Sequence, residues 1–271
     1  MRASAPAKIN LALVVGPRRK DGKHELLTVY QRIGLADRID VVPAEHTRVD
    51  GFAGDTLVRA ALELLAAHAA VDRRWHARIE KRIPVAGGLG GGSSDAAAAL
   101  VLANDTLAEP LPREDLHDVA AEVGSDVPFF LVPGPRLGSG DGTMLAPIDL
   151  PQDFWIVLVL PNGVQKESTA SVYASFDERD GADGWDDRRN ALLDALDRVE
   201  RPRDLASLPA NDLASSPLAA ELTAAGAFRA DVSGAGPIVY GLFHHEGQAK
   251  AAKRAFRRVG RTWLTAPAWY G

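Results

Sequence analysis

The 271-residue sequence contains no cysteine. This absence excludes disulfide bonds, thiolate catalysis and cysteine-ligated zinc. The sequence also lacks an excess of basic residues, because 31 Lys and Arg stand against 36 Asp and Glu, for a formal charge of −5. Nucleic-acid-binding domains usually carry a broad basic surface, so we expect no nucleic-acid partner.

No run of apolar residues approaches the length that a membrane-spanning helix needs. The apolar segment Ile9–Val15 is too short and too interrupted by polar residues for a signal or membrane segment. We therefore expect no membrane partner and a cytoplasmic location. The seven histidines show no His-Glu-x-x-His or comparable metal spacing, which argues against a structural zinc site.

Glycine is concentrated in one segment, where five of the six residues 87–92 are glycine. Two serines and an alanine-rich run, Ala96–Ala103, follow. We expect Ser93 or Ser94 to cap a helix that alanine favours, after a loop whose glycines allow close approach to a ligand. A helix N-terminus offers free N–H groups and a partial positive charge, which suit a phosphate.

Two common nucleotide motifs are absent from this segment. A P-loop needs Gly-Lys-Ser/Thr, but Gly92 is followed by two serines. A dinucleotide fingerprint needs a third Gly or Ala where Ser93 or Asp95 stands. The segment is therefore another kind of phosphate loop or a structural hinge, and the loop alone leaves both interpretations open.

Two further segments carry polar residues of interest. Lys8 and Asn10 share one face of a predicted strand, although polar residues on a solvated edge strand would look the same. The segment Arg113–Val123 has helical spacing, and Gly124 is expected to end that helix. Asp126 follows, and taken alone it is a turn residue or a helix cap.

Strand-like and helix-like patterns alternate along the chain and predict a two-layer α+β protein of two domains, 1–150 and 151–271. Predicted strands cover residues 7–15, 25–35, 38–42, 75–83, 155–160, 230–233, 238–243 and 262–266. Predicted helices cover residues 55–69, 113–123, 167–176, 187–200, 211–225 and 248–259. Residues 134–142 are expected to form a turn-rich connection and residues 177–187 a surface loop.

Five motifs together closely resemble those of the GHMP kinase superfamily, over residues 5 to 243. They are Pro-Ala-Lys-Ile-Asn at 6–10, Asp-Gly-Lys-His-Glu-Leu at 21–26, Pro-x-x-x-Gly-Leu-Gly-Gly-Gly-Ser-Ser-Asp-Ala-Ala at 84–97, Gly-Ser-Asp-Val-Pro-Phe-Phe at 124–130 and Ser-Gly-Ala-Gly-Pro at 233–237. The triple glycine before the serines and the Gly-x-Asp-Val-Pro segment discriminate best. Homoserine, mevalonate and galactose kinases share the glycine loop but less of the rest.

The resemblance implies a GHMP kinase fold, with an N-terminal kinase domain, a C-terminal ferredoxin-like domain and an active site between them. It also implies ATP-dependent phosphorylation of the 2-hydroxyl of 4-diphosphocytidyl-2-C-methyl-D-erythritol, a small molecule carrying cytidine diphosphate, in the non-mevalonate isoprenoid pathway. Asp126 is then the base for the acceptor hydroxyl. Lys8 offsets the negative charge that develops on the transferred group.

The cofactors implied are ATP and Mg²⁺, with the Ser94 hydroxyl as a protein ligand of the metal. The residues expected to bind ATP form one continuous segment. They are Pro84, Val85, Ala86, Gly87, Gly88, Leu89, Gly90, Gly91, Gly92, Ser93 and Ser94.

The resemblance also implies a set of acceptor-binding residues. Asn10 and His24 match positions that hold the methylerythritol or the cytidine diphosphate, although His24 alone could be an ordinary turn histidine. Thr169 and Tyr173 match a segment of the second domain in which an aromatic ring stacks on cytosine, although Tyr173 could equally be a core residue. Tyr30 is a second aromatic residue expected near the cytosine base.

The sequence departs from the family pattern at three places. Lys23 stands where a tyrosine is usual, Ala235 where a hydroxyl residue is common, and residues 138–142 lack the usual glutamate. Two alternatives therefore stay open: another GHMP kinase acting on a small alcohol, such as homoserine or mevalonate kinase, and a non-catalytic nucleotide-binding relative. Lys8, Asp126 and Ser94 argue against the second, because a binding protein needs no base.

Overall fold

The first half of the chain forms a six-stranded sheet, in a computed structural model that describes residues 1–85, 87–164 and 168–268. The order is β3-β4-β2-β5-β6, and β1 also pairs with β2. The strands are β1 (Arg2–Arg18), β2 (His24–Ala44), β3 (Arg48–Asp50), β4 (Arg74–Glu80), β5 (Arg136–Gly140) and β6 (Met144–Pro147).

Strand β2 organises this sheet. It is one strand of 21 residues, so the prediction of two strands at 25–35 and 38–42 is wrong. Strand β1 pairs along it from Arg2↔Asp40 to Arg18↔His24, which carries it past the predicted break. At its other edge, β2 pairs with β4 at one end and with β5 at the other. The glycine-rich stretch 134–142 therefore contains a strand instead of only turns.

Three helices pack against this sheet: α1 (Leu57–His68), α2 (Gly91–Asn104) and α3 (Arg113–Val123). The bounds of α3 match the prediction, since its apolar stripe is regular and Gly124 follows its last residue. The helices and the sheet enclose one buried cluster around Trp75, whose side chain is fully buried. Many residues of α2 in this cluster are alanine, so the helix lies close to its neighbours.

The second half forms a four-stranded antiparallel sheet in the order β10-β7-β9-β8. Its elements are β7 (Trp155–Pro161), α4 (Thr169–Glu178), α5 (Trp185–Leu196), α6 (Pro217–Ala224), β8 (Arg229–Val232), β9 (Val239–Phe243), α7 (Glu246–Phe256) and β10 (Gly260–Thr265). This order is the ferredoxin-like arrangement. The predicted helix at 211–225 begins only at Pro217, and the predicted loop at 177–187 is shortened by α4 and α5.

The two halves share buried surface. One cluster joins Ile9 and Leu11 of β1 to Ile156 of β7 and Tyr240 of β9. The Tyr240 hydroxyl also donates a hydrogen bond to the Leu11 carbonyl at 3.3 Å. Strand β1 therefore positions residues of the first half directly against the second sheet. Among the described residues, no helix is long and apolar enough to cross a membrane.

Candidate active site

Lys8 and Asn10 lie side by side on β1, as their spacing predicts. Lys8 donates from Nζ to Asn10 Oδ1 at 2.6 Å. Asn10 donates from Nδ2 to the Thr28 hydroxyl on β2 at 2.8 Å. Lys8 and Asn10 are only 3% and 4% exposed, so the alternative of a solvated edge strand is wrong. A buried ammonium group requires acceptors or an opposite charge nearby.

Asp126 supplies that opposite charge from the turn after α3. Its Oδ2 lies 3.4 Å from Lys8 Nζ, and its side chain is 34% exposed. A solute can therefore reach the carboxylate, while the lysine is held behind it. Lys8 also donates its backbone N–H to the Leu89 carbonyl at 2.9 Å. This bond fixes the glycine loop beside the Lys8–Asp126 pair.

The helix after the glycine loop begins earlier than predicted. Its N-cap is Gly90, in the left-handed region at φ 66° and ψ 20°. The prediction that Ser93 or Ser94 caps the helix is wrong, because glycine reaches this conformation readily and lets the helix start sooner. Ser94 is buried, and it donates from Oγ to the Pro6 carbonyl at 2.7 Å. This bond ties the first turn of α2 to β1.

The first amide groups of α2 are available to a ligand. Within the described part of the chain, the N–H groups of Gly91, Gly92 and Ser93 donate to no protein acceptor. Free N–H groups and the helix dipole together favour an anion at this end. Ala86, which the sequence analysis placed in the ATP-binding segment, lies outside the described residues.

Sequence reasoning missed Lys81, which stands at the entry to the loop. Its Nζ donates to Asp37 on β2 at 2.6 Å and to Asp95 on α2 at 2.7 Å. A Cβ added to Gly91 would lie 3.2 Å from this Nζ, so the ammonium group is close to the helix N-terminus. The sequence signal was available, because Lys81 lies three residues before the motif at 84–97 and Asp95 lies within it.

The two carboxyl groups around Lys81 are almost completely buried. Burial raises the pKa of Asp95 well above its usual range, and the attraction of Lys81 does not fully offset it. Burial also lowers the pKa of Lys81, but Asp95 and Asp37 outweigh that effect and raise it overall. The lysine therefore stays charged, and Asp95 keeps its proton to a higher pH than an exposed aspartate.

The turn Ser233–Pro237 of the second half closes over the glycine loop. Ser233 donates from Oγ to the Gly88 carbonyl at 2.9 Å. The same Oγ accepts a hydrogen bond from the backbone N–H of Asn10 at 3.4 Å. The loop is therefore held between β1 and the second sheet, and the site lies where the two halves meet.

His24, at the start of β2, contacts Tyr173 on α4. Their rings stack at 4.8 Å, and His24 Nε2 lies 2.7 Å from Asp177 on α4. Burial raises the pKa of Tyr173, and the charge of Asp126 adds to the effect. Tyr173 is half-buried, and Thr169 is exposed at the start of α4. Substrate binding by these residues stays a prediction.

Lys23, at the departure from the family pattern, forms an ion pair. Its Nζ lies 2.5 Å from Asp141 Oδ2 in the turn between β5 and β6. Burial alone would raise the pKa of Asp141, but hydrogen bonds from Lys23 and Thr143 outweigh it and lower that pKa to about 2. The Lys23 side chain is 52% exposed, so it remains accessible to a ligand.

Tyr30, the second aromatic residue expected near the cytosine base, is buried, and its role in substrate binding stays a prediction. Tyr30 is 2% exposed. Phe129 stacks on its ring at 4.9 Å, and Lys8 Nζ lies 5.5 Å from the ring centroid. The phenol hydroxyl donates to Asp126 Oδ1 at 3.0 Å, so Tyr30 reaches the site through its hydroxyl only.

Comparison with known proteins places this geometry in a family. The GHMP kinases N terminal domain matches residues 56–134, and the GHMP kinases C terminal domain matches residues 213–262. A 4-diphosphocytidyl-2-C-methyl-D-erythritol kinase of Kineococcus radiotolerans is 38% identical over 88% of this chain and 79% of its own length. One of Anaeromyxobacter dehalogenans is 39% identical over 93% of this chain and 84% of its own.

The chain belongs to the 4-diphosphocytidyl-2-C-methyl-D-erythritol kinase family of the GHMP kinases. A crystal structure of a 4-(cytidine 5'-diphospho)-2C-methyl-D-erythritol kinase superimposes with a TM-score of 0.79, at 31% identity, over 99% of both chains. A mevalonate kinase superimposes with a TM-score of 0.73 at 12% identity over 98% of this chain and 99% of its own, which shows the common fold alone. As a member of this family, the protein is an ATP-dependent phosphotransferase.

Proposed function

We propose that this kinase transfers the γ-phosphoryl group of ATP to the 2-hydroxyl of 4-diphosphocytidyl-2-C-methyl-D-erythritol, in the cytoplasm and in the non-mevalonate pathway to isoprenoid precursors. The observation that carries the proposal is 36–39% identity to curated kinases of that name over most of the chain. The fold itself does not choose the acceptor, since a mevalonate kinase and a homoserine kinase share it at 12% and 16% identity.

In the proposed reaction, Asp126 takes the proton of the acceptor hydroxyl. The hydroxyl oxygen then bonds to the γ-phosphorus, the bond from that phosphorus to the bridging oxygen breaks, and ADP leaves. Lys8, 3.4 Å from the Asp126 carboxylate, offsets the negative charge on the transferred group. The solvent-accessible carboxylate with a buried lysine behind it supports these roles.

The N-terminus of α2 suits the triphosphate, because three N–H groups and the Lys81 ammonium group converge there. Mg²⁺ would be held mainly by phosphate oxygens, with the hydroxyl oxygen of Ser94, whose proton is donated to the Pro6 carbonyl, as its protein ligand. Among the described residues, no group of three or more acidic or histidine side chains could hold the ion by itself. This agrees with a metal that arrives with the nucleotide and neutralises its charge.

The cytidine diphosphate would occupy the part of the cleft near His24 and Tyr173. One face of the half-buried Tyr173 ring stacks on His24, so cytosine would stack on the other face. The half-exposed Lys23 side chain can attract the diphosphate if its ammonium group leaves Asp141 and pairs with a phosphate oxygen instead. Asn10 is fixed by Lys8 and Thr28, so its amide can recognise the methylerythritol only in one orientation.

A kinase for a small alcohol without cytidine is the second candidate. Lys23 favours it, because the position lacks the aromatic ring that would complete a sandwich around cytosine. A non-catalytic nucleotide-binding protein is disfavoured by the Lys8–Asp126 pair, since binding alone requires no proton acceptor.

A coupled assay of ADP release with a panel of acceptors separates these candidates. The panel contains 4-diphosphocytidyl-2-C-methyl-D-erythritol, 2-C-methyl-D-erythritol, homoserine and mevalonate. We expect a high kcat/KM for the first compound only. Equal phosphorylation of methylerythritol without cytidine diphosphate would favour the small-alcohol kinase, and no turnover with tight ATP binding would favour the binding protein. An Asp126→Asn protein purified in the same way reports contaminating kinases.

A further inference from the structure

Each oxygen of the Asp126 carboxylate faces one group from a neighbouring strand, a hydrogen-bond donor at Oδ1 and an ion-pair partner near Oδ2. Tyr30 on β2 donates from its hydroxyl to Oδ1 at 3.0 Å. Lys8 on β1 lies 3.4 Å from Oδ2. Strands β1 and β2 pair at these residues, with Lys8 opposite Arg32 and Asn10 opposite Tyr30. The sheet therefore sets the position of Lys8 relative to Tyr30.

Tyr30 is itself held rigidly. Its ring is 2% exposed and stacks on Phe129 at 4.9 Å with an interplanar angle of 28°. Burial, with the charge of Asp126 adding to it, raises the pKa of this phenol, so the hydroxyl keeps its proton and acts as a donor. The hydroxyl therefore has a fixed place and a fixed role in the hydrogen bond.

Arg32, on the same face of β2, fixes the chain that follows Asp126. Its guanidinium group donates to the carbonyls of Phe129 and Phe130 at 3.2 Å and of Val132 at 2.8 Å. The same group lies 5.4 Å from the Phe129 ring centroid. Two residues of strand β2 thus hold this region: Tyr30 binds the Asp126 carboxylate, and Arg32 binds the backbone that follows it.

We propose that Tyr30 is a positioning residue for phosphoryl transfer, which binds Oδ1 of Asp126 and so aims Oδ2 at Lys8 and the acceptor hydroxyl. The proposal rests on the proposed role of Asp126 as the base. An aspartate carboxylate rotates easily about its terminal bond, because that torsion is broad. Asp126 is one-third exposed, so packing alone does not fix it, whereas the hydrogen bond from Tyr30 at Oδ1 and the ion pair with Lys8 at Oδ2 do.

The test is Tyr30→Phe, which removes only the hydroxyl and keeps the stacked ring. We expect kcat to fall about tenfold, the scale of a lost hydrogen bond to a charged group, with the KM values for ATP and acceptor within about twofold.

Tyr240→Phe is the matched control, since it removes another buried phenol hydroxyl, one that donates to the Leu11 carbonyl and accepts from Arg229 Nε. We expect a similar change in melting temperature but an unchanged kcat. A second measurement uses single turnovers in the Asp126→Asn background, where Tyr30→Phe should cause almost no further loss.

Three results would overturn the positioning role. The first is an unchanged kcat in Tyr30→Phe, and the second is a full additional loss in the Asp126→Asn background. The third is a loss confined to the acceptor KM, which would make Tyr30 a substrate contact. The proposed function fails separately: wild-type turnover in Asp126→Asn would remove the base, whereas a loss in Asp126→Asn with no effect of Tyr30→Phe removes only the positioning role.

Discussion

Replacing Gly88 with alanine tests whether the second half of the chain shapes the glycine loop, Gly87–Gly92. Gly88 has φ +78°, a conformation that residues with a side chain rarely adopt. An added Cβ would lie 2.1 Å from the Ser233 carbonyl oxygen, 3.1 Å from its carbon and 3.3 Å from the Gly236 nitrogen. All three are backbone atoms, so the clash cannot be relieved by rotating a side chain.

The magnitude follows from two separate effects. The left-handed conformation costs a residue with a Cβ about 1 kcal/mol. Displacing a packed backbone costs about 1–3 kcal/mol more, as overpacking does in cores. We expect the free energy of unfolding to fall by about 2–4 kcal/mol and the melting temperature by about 5–15 °C. If the loop moves instead, its N–H groups leave their places, and the Kd for ATP should rise about tenfold or more.

Thermal melting and titration calorimetry with ATP measure both effects. Gly134→Ala is the control, because Gly134 has φ +74° but nothing within 4 Å of an added Cβ. It should lose only the conformational part of the stability, about 1 kcal/mol, and keep its ATP affinity. If Gly88→Ala melts like Gly134→Ala and binds ATP like the wild type, the contact with Ser233 does not shape the loop.

Asp126→Asn should lower kcat by about 10²-fold or more with the Kd for ATP nearly unchanged. Lys8→Met should act similarly, and steady-state kinetics of the double variant should show a less than additive loss; full additivity would separate the two roles. Tyr173→Leu should raise the KM of a cytidine-bearing acceptor about tenfold, the value of about 1–3 kcal/mol for base stacking, and an unchanged KM would make Tyr173 a core residue. Lys23→Tyr should lower that KM or leave it unchanged, and a large increase would instead assign the lysine to substrate binding. Folding holds a proton on Asp95 to a higher pH than the unfolded chain does, so its contribution to stability is lost as pH rises from about 4 towards the raised pKa. Asp95→Asn should therefore gain stability relative to the wild type between pH 5 and pH 8 in denaturant unfolding, and the opposite trend would mean that the carboxylate is ionised in the fold.

The local parts of this protein could be predicted from its sequence. Helix α3 has its predicted bounds, because its apolar spacing and the following glycine are sufficient signals. Lys8 and Asn10 share a face of β1 because side chains alternate along any strand. The family motifs identified the fold and the kinase activity, since each places a set of residue types at fixed spacing. These features depend on neighbours within a few residues.

The elements predicted wrongly depend on distant partners. Strand β5 lies in a glycine-rich stretch that has no strand pattern of its own, and it forms because its backbone pairs with Leu26–Tyr30 of β2. Strand β2 continues past its predicted break because β1 pairs along its length. The cap of α2 is Gly90 and not one of the predicted serines. Gly90 adopts a left-handed conformation, and the helix starts directly after it.

The contacts of Asp126, the proposed proton acceptor, and of His24 were decided only by the tertiary structure. Tyr30 and Asp126 are 96 residues apart in sequence and joined by one hydrogen bond, and His24 and Asp177 are 153 residues apart. Periodicity and propensity report which face of an element a side chain occupies, but not which distant group it meets there. That choice follows from the strand pairing and the packing of the two halves, which bring the Tyr30 hydroxyl to Asp126.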